Sequence, residues 1–242
     1  MSVVLNNLTI SYNKHPAIHH LNGEFEDGSL TAIIGPNGAG KTSILKAISG
    51  LLDTTEGNIK VKDTKKKSIA YLPQQSEIDK SFPITALEVI YLGFWEKVGV
   101  FSEISDEMHE KAKLALEAVG LKGFENRVIG TLSAGQFQRV LFARTMVQDA
   151  NLILLDEPFT AIDSKTTSDL LNLVHRWHGE KRTVIAVLHD MEQVKENFPN
   201  TLLVARECIA WGKTKECLTP SNLLKARQMM ECWDSSARVC NI

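Results

Sequence analysis

Residues 31 to 50 constrain the chain more than any other stretch. Thr31-Ala-Ile-Ile34 is a short apolar run suited to a buried strand, and Gly35-Pro-Asn-Gly-Ala-Gly-Lys-Thr42 follows it directly. Ile44, Leu45 and Ile48 then recur at helical spacing before Gly50 ends the helix. Glycines in such a strand-to-helix turn let backbone N–H groups face inward around phosphate oxygens, and the positive end of the following helix adds to the attraction. Lys41 is placed to hold β- and γ-phosphates, and the Thr42 hydroxyl is a candidate Mg²⁺ ligand. Gly35, Pro36, Asn37, Gly38, Ala39, Gly40, Lys41, Thr42 and Ser43 therefore form the candidate nucleotide-binding set. The loop alone leaves kinases, GTPases and many ATPases open.

The rest of the chain extends one α/β unit. Val3 to Tyr12, Asn58 to Val61, Ser68 to Leu72, Leu152 to Asp156 and Thr183 to Leu188 read as strands, whereas Thr85 to Leu92 and Ser105 to Val119 have helical spacing, with Leu114, Leu116, Val119 and Leu121 among the apolar positions. This predicts an α/β fold: a phosphate-loop core with a mainly parallel sheet, an N-terminal antiparallel β subdomain and an inserted helical subdomain. The boundaries fall near 1–80 and 150–215 for the core, 81–149 for the insertion and 216–242 for a C-terminal extension.

Composition narrows the class. Of 242 residues, 43% are hydrophobic and 23% charged, as in a soluble globular protein, and a net charge of −2 gives no basic face for nucleic acid. The one basic cluster, Lys60, Lys62, Lys65, Lys66 and Lys67, brackets Asp63-Thr64 and reads as a solvated hairpin tip. Cys208, Cys217, Cys232 and Cys240 lack tight metal spacing and read as reduced thiols; a metal-sensing tail at Cys232 and Cys240 is the less favoured reading. The N-terminus lacks a basic segment before an apolar core, and no stretch approaches the roughly 20 apolar residues that cross a bilayer, so a membrane role is expected to come from a partner.

Two further segments narrow the chemistry. Asp156-Glu157 closes an apolar strand, so the first carboxylate can reach Mg²⁺ while the second polarises a water at the γ-phosphate. Two adjacent acids suit hydrolysis better than transfer to a hydroxyl. Leu132-Ser-Ala-Gly-Gln136 opens the helical run Phe137-Gln-Arg-Val-Leu-Phe-Ala-Arg144; on its own residues, Ser133 is an N-cap with free N–H groups behind it.

With these segments the chain resembles the ATP-binding subunits of ABC transporters, whose signature reads LSGGQ; Ala134 stands here for the first glycine. The resemblance implies a cofactor set of ATP and Mg²⁺ and gives further residues roles. Tyr12 resembles the aromatic that stacks on adenine, although by itself it is equally a strand tyrosine. Gln74, in Tyr71-Leu-Pro-Gln74, resembles the glutamine that touches Mg²⁺ and the attacking water, and is otherwise a polar loop residue. Asp163, in Thr160-Ala-Ile-Asp163, resembles the acid of the dimer-interface loop and is also a fair N-cap. His189 resembles the switch histidine at the γ-phosphate, whereas a lone histidine after a strand is more often structural. Glu157, His189 and Gln74 are thus the candidate catalytic set; Thr42, Gln74 and Asp156 the Mg²⁺ set; Leu132, Ser133, Ala134, Gly135 and Gln136 the signature acting on a partner's ATP.

The resemblance further implies a homodimer of ATPase subunits with two interfacial nucleotides, peripheral on the cytoplasmic face of the plasma membrane, driving integral membrane permease subunits. Ser81-Phe-Pro-Ile-Thr85, Tyr91-Leu-Gly-Phe94 and Ala210-Trp-Gly212 are similar to bacterial manganese, zinc and iron importers, which also use an external metal-binding protein. Three rivals remain: a soluble ABC ATPase working on DNA repair or the ribosome, which would bring tandem units, a coiled coil or basic linkers; a regulatory ATP binder, which would lack Glu157 or His189; and a small-molecule kinase, which would lack the signature.

Overall fold

The computed structural model describes residues 1–12, 15–62, 69–99 and 103–231. In chain order its elements are β1 (Val3–Tyr12), β2 (His15–Phe25), β3 (Leu30–Ile34), α1 (Lys41–Ile48), β4 (Glu56–Val61), β5 (Ile69–Leu72), α2 (Ala86–Tyr91), α3 (Trp95–Val98), α4 (Asp106–Ala118), α5 (Ala134–Gln148), β6 (Leu152–Asp156), α6 (Ser164–Gly179), β7 (Thr183–Val187), α7 (Met191–Asn197), β8 (Asn200–Ala205), β9 (Glu207–Lys213), α8 (Thr214–Cys217) and α9 (Pro220–Glu231).

The strands form two sheets. A three-stranded antiparallel sheet runs β2-β1-β4, and a six-stranded sheet runs β5-β6-β7-β3-β8-β9, parallel except where β9 returns antiparallel to β8. Strands β3, β6 and β7 are buried along their whole length, as expected for parallel strands covered on both faces. Their side chains alternate between two cores. Ile33, Leu154, Ile185 and Val187 join Ile44, Leu45 and Ile48 of α1 and the apolar face of the antiparallel sheet. Ala32, Leu155, Val184 and Ala186 face α6 and the helical insertion, where Phe137, Phe142 and Trp177 pack.

One sequence expectation is corrected. The lysine-rich run does not tip a hairpin, because β4 pairs with β1 in one sheet while β5 pairs with β6 in the other. Lys65 to Lys67 lie outside the described residues, and Lys62 Nζ donates to Glu24 at 3.1 Å. Of the apolar positions read at helical spacing, α4 buries Leu116 with Ala112 and Ala115 on one face and leaves Leu114 62% exposed.

The insertion is a helical lobe seated on α5, which packs against α2, α4 and α6. Its helices start where the sequence offers caps. Thr85 and Ser133 each form a reciprocal capping box, with Glu88 and Gln136. Within the C-terminal extension, α8 and α9 pack on β8 and β9. Cys217 is buried with its Sγ donating to the Thr201 carbonyl, whereas Cys232 and Cys240 lie outside the described residues. No described helix is long and apolar enough to cross a membrane.

Candidate functional site

The parallel sheet lines up four loops. Leu72 of β5 pairs with Leu155 of β6, Asp156 of β6 with Val187 of β7, and Ile33 of β3 with Val187. Gln74, Glu157, His189 and Gly35 each lie one or two residues beyond those pairs, so the four candidate segments leave neighbouring strands at one level of the sheet. This is the carboxyl edge, where parallel sheets gather ligands.

Backbone geometry shapes the phosphate loop. Gly40 has φ of 88°, and a Cβ there would lie 2.4 Å from the Ala17 carbonyl oxygen and 2.6 Å from Ile18 Cγ1, so only glycine fits as the loop enters α1. Lys41 Nζ donates to the carbonyls of Gly35 and Pro36 at 3.0 and 2.9 Å, inside the curve of the loop. Burial pulls the Lys41 ammonium below its ordinary range, opposed by the carboxylates of Glu157 and Asp156. The loop bounds a cleft of about 330 Å³ with Tyr12, Ala17 and residues 37–43 and Glu157. The first N–H groups of α1 lack intrahelical acceptors at its rim. Tyr12 projects beside it, 48% exposed, with its hydroxyl 3.2 Å from Ser43 Oγ.

Next to the cleft, Thr42 Oγ1 donates to Asp156 Oδ1 at 3.1 Å and the Tyr71 hydroxyl donates to Oδ2 at 3.2 Å. Asp156 is fully buried. Its carboxyl is pushed up to about 6 by burial, against the bonds from Thr42 and Tyr71, and Tyr71 is itself raised by burial and by the charge of Asp156. An oxygen-only pair on the β3 and β6 loops, with an incompletely compensated buried carboxylate, fits a hard divalent cation such as Mg²⁺.

Glu157 continues the sheet by donating its N–H to Val187 at 3.2 Å and then turns left-handed, with φ of 48°. That conformation costs a non-glycine residue on the order of 1 kcal/mol and brings its carboxylate into the site. Gln74 Nε2 donates to Oε2 at 2.7 Å, Thr160 Oγ1 donates to the same oxygen at 3.4 Å, and His189 Nε2 donates to Oε1 at 2.5 Å. The three residues read from sequence as catalytic thus meet at one carboxylate. A larger cavity of about 710 Å³ that also touches Glu157 is edged by Asp190, Glu192 and Glu196; those carboxylates repel a polyphosphate, so the lysine-bearing cleft is the better candidate for a nucleotide.

The signature stands apart from these bonds. Ser133 and Gln136 cap each other's backbone. The first turn of α5 lies beside Asp163, which is exposed and caps α6 through the Thr166 N–H at 2.8 Å, as the N-cap reading expects. Sequence reading gave no role to Tyr71, Gln75, Thr160 or Arg139. Tyr71 could have been found from its two-residue alternation with Ile69 along a strand beside Asp156; Gln75 carries no such signal.

A buried carboxylate beside a threonine and a phosphate loop, with a second carboxylate held between a glutamine and a histidine, defines a nucleotide-hydrolysing P-loop protein. The ABC transporter family model matches residues 18–160, and the chain belongs to that family. It is 36% identical to the manganese transport system ATP-binding protein MntB of Listeria monocytogenes, covering 89% of this chain and 92% of that one. It is 35% identical to the zinc transport system ATP-binding protein TroB of Treponema pallidum, covering 93% and 86%. Among solved structures, the dimeric post-hydrolysis ATP-binding cassette MJ0796, bound to ADP and Pi, superposes with a TM-score of 0.77 at 27% identity, covering 88% of this chain and 98% of that one.

Proposed function

We propose that the chain is the ATP-binding and ATP-hydrolysing subunit of a transporter that imports a transition metal, with manganese and zinc the favoured cargoes. One observation carries the ATPase reading: the Glu157 carboxylate, held by Gln74 and His189, sits at the mouth of the cleft that contains Lys41. Lys41 and the α1 N–H groups bind the phosphates, and the exposed ring of Tyr12 receives the adenine face. Thr42, Asp156 and Gln74 would hold Mg²⁺, which would supply positive charge to the phosphate oxygens. Glu157 accepts the proton of a water whose oxygen bonds to the γ-phosphorus. The β–γ bridging oxygen leaves with the bond's electrons, giving ADP and phosphate. Gln74 and His189 orient that carboxylate and follow the γ-phosphate.

Two copies form the working unit, each presenting Leu132 to Gln136 to the other's ATP with Asp163 at the seam; the dimeric cassette among the structural relatives supports this arrangement. ATP draws the subunits together through donors at Ser133 and the start of α5, and loss of the γ-phosphate releases them. The motor sits on the cytoplasmic face of the membrane against permease subunits, with an external binding protein delivering the ion. The metal assignment rests on the manganese and zinc transport relatives, since cargo is selected by the permease and binding protein rather than by this subunit.

Glu157→Gln keeps the hydrogen-bonding shape and removes the base. It should bind ATP with unchanged affinity, lose about 10²-fold or more in turnover, and accumulate as an ATP-bound dimer by size-exclusion chromatography. Turnover at the wild-type rate would end the mechanism. Loss of manganese or zinc accumulation in cells lacking the subunit tests the cargo.

A further inference from the structure

Gln74 and Gln75 are adjacent yet belong to different sites. Gln74 Nε2 reaches the chain's own Glu157 at 2.7 Å. Gln75 opens a short 3-10 turn, Gln75–Glu77, and turns the other way: its Nε2 donates to the Ala134 carbonyl at 2.9 Å and to Gln138 Oε1 at 2.6 Å. Both acceptors lie at the start of α5, the helix that carries the signature, and Gln138 is buried. Lys80 completes the grip. Its Nζ donates to Gln75 Oε1 at 3.4 Å and sits 4.4 Å from the centre of the Phe137 ring. At the other end of the turn, Glu77 pairs with Lys46 of α1 at 2.6 Å. A seven-residue segment thus touches the catalytic carboxylate, the helix of the phosphate loop and the first turn of the signature helix.

We propose that Gln75 is a positioning residue that ties the γ-phosphate end of the chain's own nucleotide site to the signature loop serving the partner's nucleotide, and so couples the two sites of the dimer. The inference rests on the dimer reading given above. Any shift of Gln74 as it exchanges Glu157 for ligand moves Gln75 by the same peptide unit, and its two hydrogen bonds transmit that shift to α5, one of them to Ala134, next to Ser133. The coupling is mechanical and local: Ala134 accepts through its backbone, so the signature loop moves with its carbonyl. Gln138, shielded from water, keeps the contact from being exchanged for solvent.

The test is the ATP dependence of hydrolysis by the full chain, with nucleotide binding and thermal stability measured beside it. In wild type the rate should rise cooperatively, with a Hill coefficient between 1 and about 2, the number of sites. Gln75→Leu, nearly isosteric and unable to donate, should bring the coefficient to about 1 with ATP affinity and melting temperature unchanged. Gln138→Met removes the acceptor from the other side and should do the same, and the double variant should add nothing, the mark of one shared contact. If buried Gln138→Met does not fold, Gln75→Leu alone decides. A cooperative wild type whose Gln75→Leu variant remains equally cooperative overturns the coupling alone. A wild type with a hyperbolic rate, whose Glu157→Gln variant stays monomeric with ATP, overturns the dimer reading and the coupling together.

Discussion

Asp156 shows what the site costs at the scale of one residue. Its carboxyl, ordinarily near 3.8, is pushed up to about 6 by burial, so between those values the folded chain holds a proton that the unfolded chain has released. Stability therefore falls as pH rises through that window, because the native state binds more protons there. The shift corresponds to about 2 to 3 kcal/mol at most, at ~1.4 kcal/mol per pH unit. Without nucleotide and in excess chelator, urea unfolding should become easier between pH 4 and 6 by part of that amount, and Asp156→Asn should flatten the slope. An identical pH slope in the variant would refute the assignment. The candidate site was legible at this scale wherever residue type alone limits the chemistry: a lysine within glycines, or an acid ending an apolar strand. What was not legible were the contacts that depend on another element's placement, such as the Tyr71 hydroxyl on Asp156, the Thr160 hydroxyl on Glu157 and Gln75 on Ala134.

At the scale of elements, α5 is held at both ends of its first two turns. Opposite the Gln75 contact, Arg139 Nη1 donates to the Val119 carbonyl at 2.8 Å, while Nη2 donates to Thr166 Oγ1 at 3.3 Å and Asp169 Oδ2 at 2.8 Å. One guanidinium therefore joins the signature helix to the end of α4 and to α6, the helix capped by Asp163. Its planar fork suits three divergent acceptors in a way an ammonium does not. Arg139→Ala should lower unfolding free energy by about 2 to 4 kcal/mol, the range for losing charge-assisted bonds at a mostly buried group, and Arg139→Lys should recover only a minority of it. A loss within the error of a urea titration would show that the clamp is slack. Different signals made different elements readable: helical spacing of Ile44, Leu45 and Ile48 for α1, an N-cap at Ser133 for α5, and unbroken apolar runs for β6 and β7, which are buried at every position. Strand β2 was not read, since His15-Pro-Ala-Ile-His-His20 breaks the apolar alternation and its partner β1 compensates through register shifts. The hairpin expected around the lysine run failed for a related reason: local alternation identifies a strand but not its sheet, and β4 and β5 were assigned to different layers by packing on distant residues.

For the whole molecule, exposed apolar surface is unevenly distributed. Of the eight large hydrophobic side chains exposed among the described residues, Phe82, Leu92, Trp95, Leu114 and Val128 lie in the helical insertion. Between α3, α4 and the end of α5 the insertion also opens a groove of about 420 Å³ with Phe94, Met108, Leu114 and Met146 in its walls. Of the five exposed side chains only Leu114 lines the groove, whose rim also carries Lys97, Glu107, Lys111 and Asp149, and isolated apolar residues are normal on any surface. On the proposed transporter reading, a permease helix would lay its own apolar stripe into the groove. The insertion also carries the first turn of α5 and is gripped by the loop that follows Gln74, so a partner seated there feels the nucleotide site through bonded neighbours. Leu114→Asp and Trp95→Ser change residues with no core to lose. They should leave ATP hydrolysis by the isolated subunit intact, while the subunit no longer co-purifies with membranes containing its permease and metal uptake stops. Uptake and membrane association at wild-type levels in the double variant would move the permease contact off this groove, whereas loss of hydrolysis in the isolated subunit would mean that the insertion's surface serves the ATP site itself.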